Sequence, residues 1–255
     1  MIKVSVIITL LFLAGCESTP KTTMPTYRLH NPEVNSTFSA SIATGIGSVS
    51  TVAINGNQKT NSNEDNESDT DLFIKASIVA IEGLKVSFFG DIGGSDNGGI
   101  MALYQFYGLN ADKSVEGNVS QAFSLGYINN DGIGFYDLPS SSPYTRSNWE
   151  QDTKIIDFAW VSGYRINPDL IVYGGPFFQW GKSNVMEVLS SSSETIEDLV
   201  SNQNNKGNLY GANIALEYRF KSGLGLTGEV VYSKAEWSKS TVDDASLNFK
   251  VDYQF

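Results

Sequence analysis

The sequence predicts an all-β fold, a transmembrane antiparallel up-and-down β-barrel of about ten strands, with eight strands as the alternative. Three observations predict it: a C-terminal segment of strict alternation, similar alternation upstream, and connections that alternate between short and long. The composition agrees, because 24 glycines, 12 tyrosines and 14 phenylalanines favour short strands and turns. A chain of 255 residues is long enough for one such domain.

The last strand is the most regular part of the pattern. Apolar side chains occupy every second position, at Leu247, Phe249, Val251, Tyr253 and Phe255, and polar ones lie between them. A period of two residues predicts a strand with one apolar face. The terminal Phe255, with Tyr253 two positions before it, resembles the closing-strand signal of outer-membrane barrels. That resemblance implies that the barrel assembly machinery is a partner.

Nine further segments are candidate strands. Alternation is clear in residues 120–127, 156–166, 210–220 and 224–232, and less regular in 37–53, 70–81, 84–92, 99–108 and 169–181. A membrane barrel turns its apolar positions to lipid and its polar positions to the lumen. The predicted lumen charges are Lys85, Asp91, Asp157, Arg165, Glu217, Arg219, Glu229, Lys250 and Asp252. We expect them to pair with one another and close the lumen, because unpaired buried charges are costly.

The connections alternate in length along the chain. Short turns are predicted at 82–83, 110–118, 167–169 and 221–223, and long loops at 54–70, 129–153, 182–207 and 236–245, with a shorter glycine-rich loop at 93–98. Short periplasmic turns and longer extracellular loops are typical of outer-membrane barrels. An even strand number therefore predicts that both chain termini lie on the periplasmic side.

The aromatic residues of this layout fall near the strand ends. Such rings favour the two membrane interfaces, since one end is apolar and the other can form hydrogen bonds. Those predicted at the outer rim are Tyr127, Trp180, Tyr210 and Tyr232, and those predicted at the periplasmic rim are Tyr164, Tyr218, Phe220 and Phe255.

The N-terminus has the features of an export signal. Lys3 precedes the apolar run Val4–Gly15, which is too short to cross a bilayer as a helix, so residues 1–15 are predicted to be a signal peptide. Leu13-Ala14-Gly15-Cys16 resembles the bacterial lipobox. The resemblance implies cleavage before Cys16 and modification of this cysteine with diacylglycerol and palmitate. It also implies contact with the lipoprotein sorting machinery and an outer-membrane location in a Gram-negative bacterium. This covalent lipid is the one cofactor expected.

Residues 16–36 are predicted to form a periplasmic linker ahead of a barrel at 37–255. Pro20, Pro25 and Pro32 interrupt regular structure there. His30, the single histidine, is expected to be a solvated linker residue. A barrel without a histidine has no Ser-His-Asp triad or histidine metal site, in contrast to the omptin proteases, so the chain is predicted not to be an enzyme.

Two loop features are candidate binding sites. Asp65, Glu67, Asp69 and Asp71 lie on one face of an extended chain and are weak candidates for a calcium site; a solvated acidic loop is the simpler interpretation. Phe135, Tyr136, Tyr144 and Trp149 give the loop 129–153 enough aromatic surface to cover the barrel mouth or to contact a partner.

Three functions remain open at this point. The first is a surface-exposed, non-catalytic structural or interaction protein of the envelope, whose partners are outer-membrane lipids and an envelope or extracellular protein bound by the loops. The second is a narrow porin-like channel or small-solute transporter, and the third is an enzyme using only carboxylates, hydroxyls or lysines. Nucleic acid is excluded as a partner because the net charge is -11.

Overall fold

The computed structural model describes residues 20–53, 67–92, 96–138, 140, 142–191, 197–237 and 240–255. Within them the fold is all-β, and ten strands form the closed antiparallel up-and-down barrel that the sequence predicts, rather than the alternative of eight. No helix in this part of the chain is long and apolar enough to cross a membrane. The strands are β1 Lys21–Pro25, β2 Ser39–Ala53, β3 Glu67–Ile81, β4 Leu84–Asp91, β5 Asp96–Tyr107, β6 Val119–Asp137, β7 Arg146–Asn167, β8 Leu170–Ser190, β9 Leu199–Arg219, β10 Leu224–Trp237 and β11 Ser240–Gln254.

The barrel closes between its first and last wall strands, β2 and β11. Each of the strands from β2 to β11 pairs with the next, and the circle is completed by six residue pairs from Ser41↔Gln254 to Ile46↔Phe249. The backbone N–H of Phe255 donates to the Ala40 carbonyl at 2.9 Å. The C-terminal residue is therefore part of the closure.

Most wall strands are longer than the alternation predicts. The expected loops 129–153 and 182–207 are mostly strand, because β6 continues to Asp137 and β9 begins at Leu199. Several outward positions in this extension are polar, as at Asn202 and Asn204, and the exposed apolar residues there, such as Ile133 and Met186, do not form a regular alternation. Beyond the hydrocarbon layer an outward side chain has no reason to be apolar, so the alternation that predicts strands is lost there. The predicted short turns are found as expected.

An apolar belt surrounds the half of the barrel next to the short turns. In β7 its exposed side chains extend from Ile156 to Ile166 and include Phe158, Trp160 and Tyr164. Ten residue steps at about 3.3 Å, on a strand tilted by about 40°, give a belt about 25 Å high, which matches the hydrocarbon thickness that membrane barrels cover. All eight rim aromatics predicted from the sequence are exposed; they are Tyr127, Trp180, Tyr210, Tyr232, Tyr164, Tyr218, Phe220 and Phe255.

The chain before the wall runs through the barrel. Strand β1 pairs with the half of β2 nearest the long loops, from Lys21↔Ala53 to Pro25↔Val49. At the other end of the barrel, the Ser36 N–H and hydroxyl donate to Asp112 in a short turn, at 2.7 and 2.5 Å. Residues 20–36, called the lumen segment below, therefore cross the whole lumen.

This path differs from the expected linker outside the barrel. The described part of the predicted 16–36 linker is enclosed by the wall, and Pro20 lies at the long-loop end while Phe255 lies at the short-turn end. The wall strands begin and end at one side of the barrel, as expected, whereas the first described residue, Pro20, lies at the other side. Cys16 and the signal sequence lie outside the described residues.

Removal of Phe255 should impair barrel assembly. The deletion removes the hydrogen bond to Ala40 and the edge-to-face contact with Tyr253, whose ring centroids are 5.0 Å apart. We expect a lower fraction of heat-modifiable, folded barrel on a cold gel than for Ser222→Ala, a change in an exposed turn at the same end. Equal folding of the two variants would contradict a role of Phe255 in closure.

Candidate functional site: the occupied lumen

Apolar contacts hold the lumen segment in the half of the barrel near the long loops. Met24 is fully buried in a cluster with inward-facing wall residues such as Ile155, Leu209 and Trp237. The sequence analysis expected a polar inward face, whereas this part of the inward face is apolar. Met24 covers part of this apolar lining, which is favourable in proportion to the apolar area buried.

Tyr27 is packed into the wall at a glycine. Its ring stacks on Phe73 with centroids 4.6 Å apart and an interplanar angle of 10°, and its hydroxyl donates to Asp91 at 3.0 Å. A Cβ added at Gly47 would lie 2.2 Å from the Tyr27 ring. Gly47 is thus the residue that lets the segment approach β2 at this level.

Arg28 makes the central charged contact of the segment. Its guanidinium forms a fully enclosed ion pair with Asp157 and lies 4.1 Å above the centre of the Phe177 ring. Gln179 Nε2 donates to the same carboxylate at 2.6 Å and to the Pro25 carbonyl at 2.9 Å. A buried ion pair needs further hydrogen bonds for its remaining polar atoms. Arg28 Nε and Nη2 donate to the Thr26 and Pro25 carbonyls at 3.2 and 2.7 Å, whereas Asp157 Oδ1 is buried without a partner among the described residues.

Glu229 binds the backbone of the segment. Its two carboxylate oxygens accept the N–H groups of Arg28 and Leu29, each at 2.9 Å. Asn213 and Asn248 donate their side-chain amides to the same carboxylate at 2.6 and 3.0 Å. Leu29 has φ of +40°, a left-handed conformation that is unfavourable for a leucine, and the Glu229 contact holds it there.

Three lysines of the wall contact the segment at residues 29–31. Lys75 Nζ lies 2.9 Å from His30 Nδ1, while Lys85 and Lys250 each donate to a segment carbonyl at 3.4 Å, those of Asn31 and Leu29. The expectation of a solvated His30 is therefore wrong, because the residue is buried inside the barrel. The statement that the barrel holds no histidine is therefore wrong as well.

Glu33 anchors the end of the segment near the short turns. It forms a two-oxygen ion pair with Arg165 and accepts hydrogen bonds from Ser114 and Asn118, each at 2.8 Å. The next residue, Val34, donates its N–H to Gln105 at 2.7 Å. Both ends of the segment are thus attached to the wall.

The nine charged residues of the predicted lumen set have their contacts inside the barrel, and four of them pair with one another. Arg219 and Lys250 pair with Glu217 and Asp252, as expected for wall charges that satisfy one another. The rest contact the lumen segment instead; they are Lys85, Asp91, Asp157, Arg165 and Glu229. The sequence analysis missed Arg28, Glu33 and Lys75. The available signal was the number of apolar side chains, because a solvated linker does not need so many. They are Met24, Tyr27, Leu29 and Val34.

A polar cavity of about 590 Å³ remains at the short-turn end. Leu29 and Asn31 of the segment form its floor, and turn residues such as Asp112, Asp169 and Lys221 line its mouth. We call it the vestibule. It opens at one end of the barrel and is closed at the other by the segment.

The two predicted loop sites have different outcomes. Asp65 lies outside the described residues, whereas Glu67, Asp69 and Asp71 belong to β3 rather than to a loop. The described residues contain no group of three or more metal-ligating side chains. Tyr136 is buried within β6 and donates to Glu187, which also accepts from Ser147 at 2.6 Å. The predicted aromatic loop is instead an extension of the wall, formed by Phe135 and Tyr136 in β6 and Trp149 in β7, with Tyr144 in the shortened connection.

Comparisons with known proteins add little to this picture. No family model and no curated protein sequence matches the chain. One similar solved structure is the outer membrane channel DcaP of Acinetobacter baumannii, with 10% identity and a TM-score of 0.23 over 95% of this chain and 100% of that chain. A likeness this weak carries no argument about function.

The Arg28–Asp157 pair should contribute strongly to stability. Arg28→Met leaves Asp157 buried without its cation, which we expect to cost about 3 kcal/mol of unfolding free energy. Lys154→Met is the matched control, because it breaks an exposed pair with Asp152 on the same strand as Asp157, and such pairs contribute little. The midpoint temperature at which each variant loses its heat-modifiable gel mobility measures the effect of each substitution on stability. Equal midpoints for the two variants would contradict the anchoring role of Arg28.

Proposed function

We propose that this chain is an outer-membrane β-barrel lipoprotein that acts without catalysis, as a surface-exposed structural or interaction protein of the envelope. The observation that carries the proposal is the lumen segment, which closes the barrel with its own chain. The apolar belt between two aromatic rims supports a membrane location, because an exposed apolar surface of this extent is unfavourable in water.

The occupied lumen argues against steady transport. Contacts at two levels attach the segment to the wall, those of Arg28 with Asp157 and Glu229 and that of Glu33 with Arg165, and the segment residues from Met24 to Leu29 are buried. A solute would have to displace buried ion pairs and hydrogen bonds to pass. The remaining space is the vestibule, which ends at Leu29.

A narrow channel is the second candidate function. The observation that favours it is the vestibule, which is water-accessible and lined by charges of both signs, such as Lys75 and Asp252. A segment that left the lumen would join this vestibule to the long-loop end. The contacts described above make that a rare event in the unmodified chain.

The direction of the segment bears on where the N-terminus is displayed. Pro20 lies at the long-loop end, and the four residue steps from Cys16 can extend by about 14 Å at most. If the long loops are extracellular, a lipid on Cys16 is delivered to the cell-surface side of the barrel. The lumen then serves as the conduit through which the chain reaches that side.

Purified protein in planar bilayers should show little or no conductance. The ion pair of Arg28 keeps the lumen closed, so Arg28→Met should show brief openings and Lys154→Met should not. Single-channel recording of the three proteins, each first verified as folded by heat modifiability, makes the comparison. Large, stable steps from the unmodified chain would overturn the closed-barrel proposal and favour the channel.

Cysteine labelling on intact cells should reveal the direction of threading. A membrane-impermeant maleimide is expected to label Lys21→Cys and Thr145→Cys, which lie at the long-loop end, and to label Ser222→Cys only after permeabilisation. The unmodified chain is the blank, since an acylated Cys16 cannot react.

Two results of that experiment would count against the proposal. If Lys21→Cys, like Ser222→Cys, were labelled only after permeabilisation, display of the N-terminal end beside the long loops would be excluded. Labelling of the unmodified chain in denaturant would show a free Cys16 thiol and exclude complete acylation.

A further inference from the structure

The vestibule has two walls of different chemistry. On one side, Arg219 and Lys250 are neutralised by Glu217 and Asp252 at 2.7 to 3.5 Å. On the other side, the parts of β2, β3 and β4 that line the vestibule contribute no carboxylate. Their lining residues are Ser39, Ser41, Ala43, Lys75, Ser77, Val79 and Lys85.

The two lysines of this second wall carry unneutralised charge. Neither Lys75 nor Lys85 forms an ion pair with a carboxylate in the described part of the chain, and their hydrogen bonds are to His30 Nδ1 and to the Asn31 carbonyl. An ammonium group has three N–H donors, and each uses one of them in these contacts. Because both groups also border the vestibule, further donors can reach a ligand there.

Serine hydroxyls lie between the two lysines. Ser41 pairs with Ser77 across β2 and β3, and Ser77 pairs with Ser87 across β3 and β4. Ser39 Oγ already accepts from Asn35 at 2.8 Å, so its own O–H is left to donate. Hydroxyl and ammonium donors together form a surface that suits oxyanions.

From this wall we propose that the vestibule is a binding site for a small soluble anion bearing phosphate or carboxylate groups, held by Lys75 and Lys85. Val79, four steps after Lys75, is the register partner of Lys85, which places the two Cα atoms about 14 Å apart. Two long, flexible side chains at that separation can converge on one anion within a cavity of about 590 Å³.

Among the described residues, the vestibule opens at the short-turn end. The mouth is lined by Ala111, Pro168 and Lys221, and the floor is the lumen segment. A ligand therefore enters and leaves by the same route, as in a binding pocket. In the orientation given under the proposed function, on which this step rests, the ligand comes from the periplasm.

Titration calorimetry of the folded protein in detergent tests the site, with sodium phosphate as the probe and ionic strength held constant with sodium chloride. We expect saturable binding of one phosphate per chain, weakened about tenfold or more in Lys75→Gln/Lys85→Gln because charge-assisted hydrogen bonds are lost. Lys182→Gln, an exposed outward position on β8, should bind like the unmodified chain.

Further variants separate loss of binding from loss of folding. If the double variant lacks heat-modifiable mobility, Lys85→Gln alone should still weaken binding, and Lys85→Arg should retain it. Absence of saturable binding to the unmodified chain, or equal affinity of Lys85→Gln and Lys182→Gln, would overturn the anion site. Neither result depends on conductance, so the closed-barrel proposal is judged separately.

Discussion

The path of the lumen segment depends on one carboxylate, that of Glu229. After β1 ends at Pro25 the chain has no strand partner, and its backbone polar groups still need hydrogen bonds in an enclosed space. Glu229 accepts two consecutive backbone N–H groups, those of Arg28 and Leu29, at the point where Leu29 takes its left-handed conformation. Because Asn213 and Asn248 orient the carboxylate from two neighbouring strands, the wall is organised around the segment it holds.

Charge pairing explains how the barrel holds its own chain. The outward face of the belt is apolar, so polar wall residues collect in the lumen. There they either satisfy one another, as Arg219 and Asp252 do, or require partners from elsewhere. Arg28 supplies a cation to Asp157, and Glu33 supplies an anion to Arg165. The segment thus completes pairs that the wall leaves open.

The sequence predicts those features that repeat locally and misses those that depend on distant contacts. The two-residue period was enough to predict the barrel, the inward position of Glu229 and the place of Phe255 in the closing strand. It could not predict the lumen segment, because the backbone N–H of Arg28 donates to the side-chain carboxylate of Glu229, 201 residues away, and prolines interrupt any periodic pattern near Arg28. The extension of the wall strands towards the long loops was missed for another reason. Beyond the apolar belt, the beginning of strands such as β9 has no apolar face that would reveal the alternation.

The apolar part of the lumen indicates that the segment is integral to the fold rather than an added plug. Inward wall residues Ile128, Ile155, Leu209 and Trp237 are buried in one cluster, and Met24 of the segment belongs to it. The lumen of an open pore is polar because water fills it. Without the segment these side chains would face water, so the empty barrel would lose part of its hydrophobic core. A wall with this lining is suited to an occupied lumen, and the polar vestibule is the part of the interior that remains available to solutes.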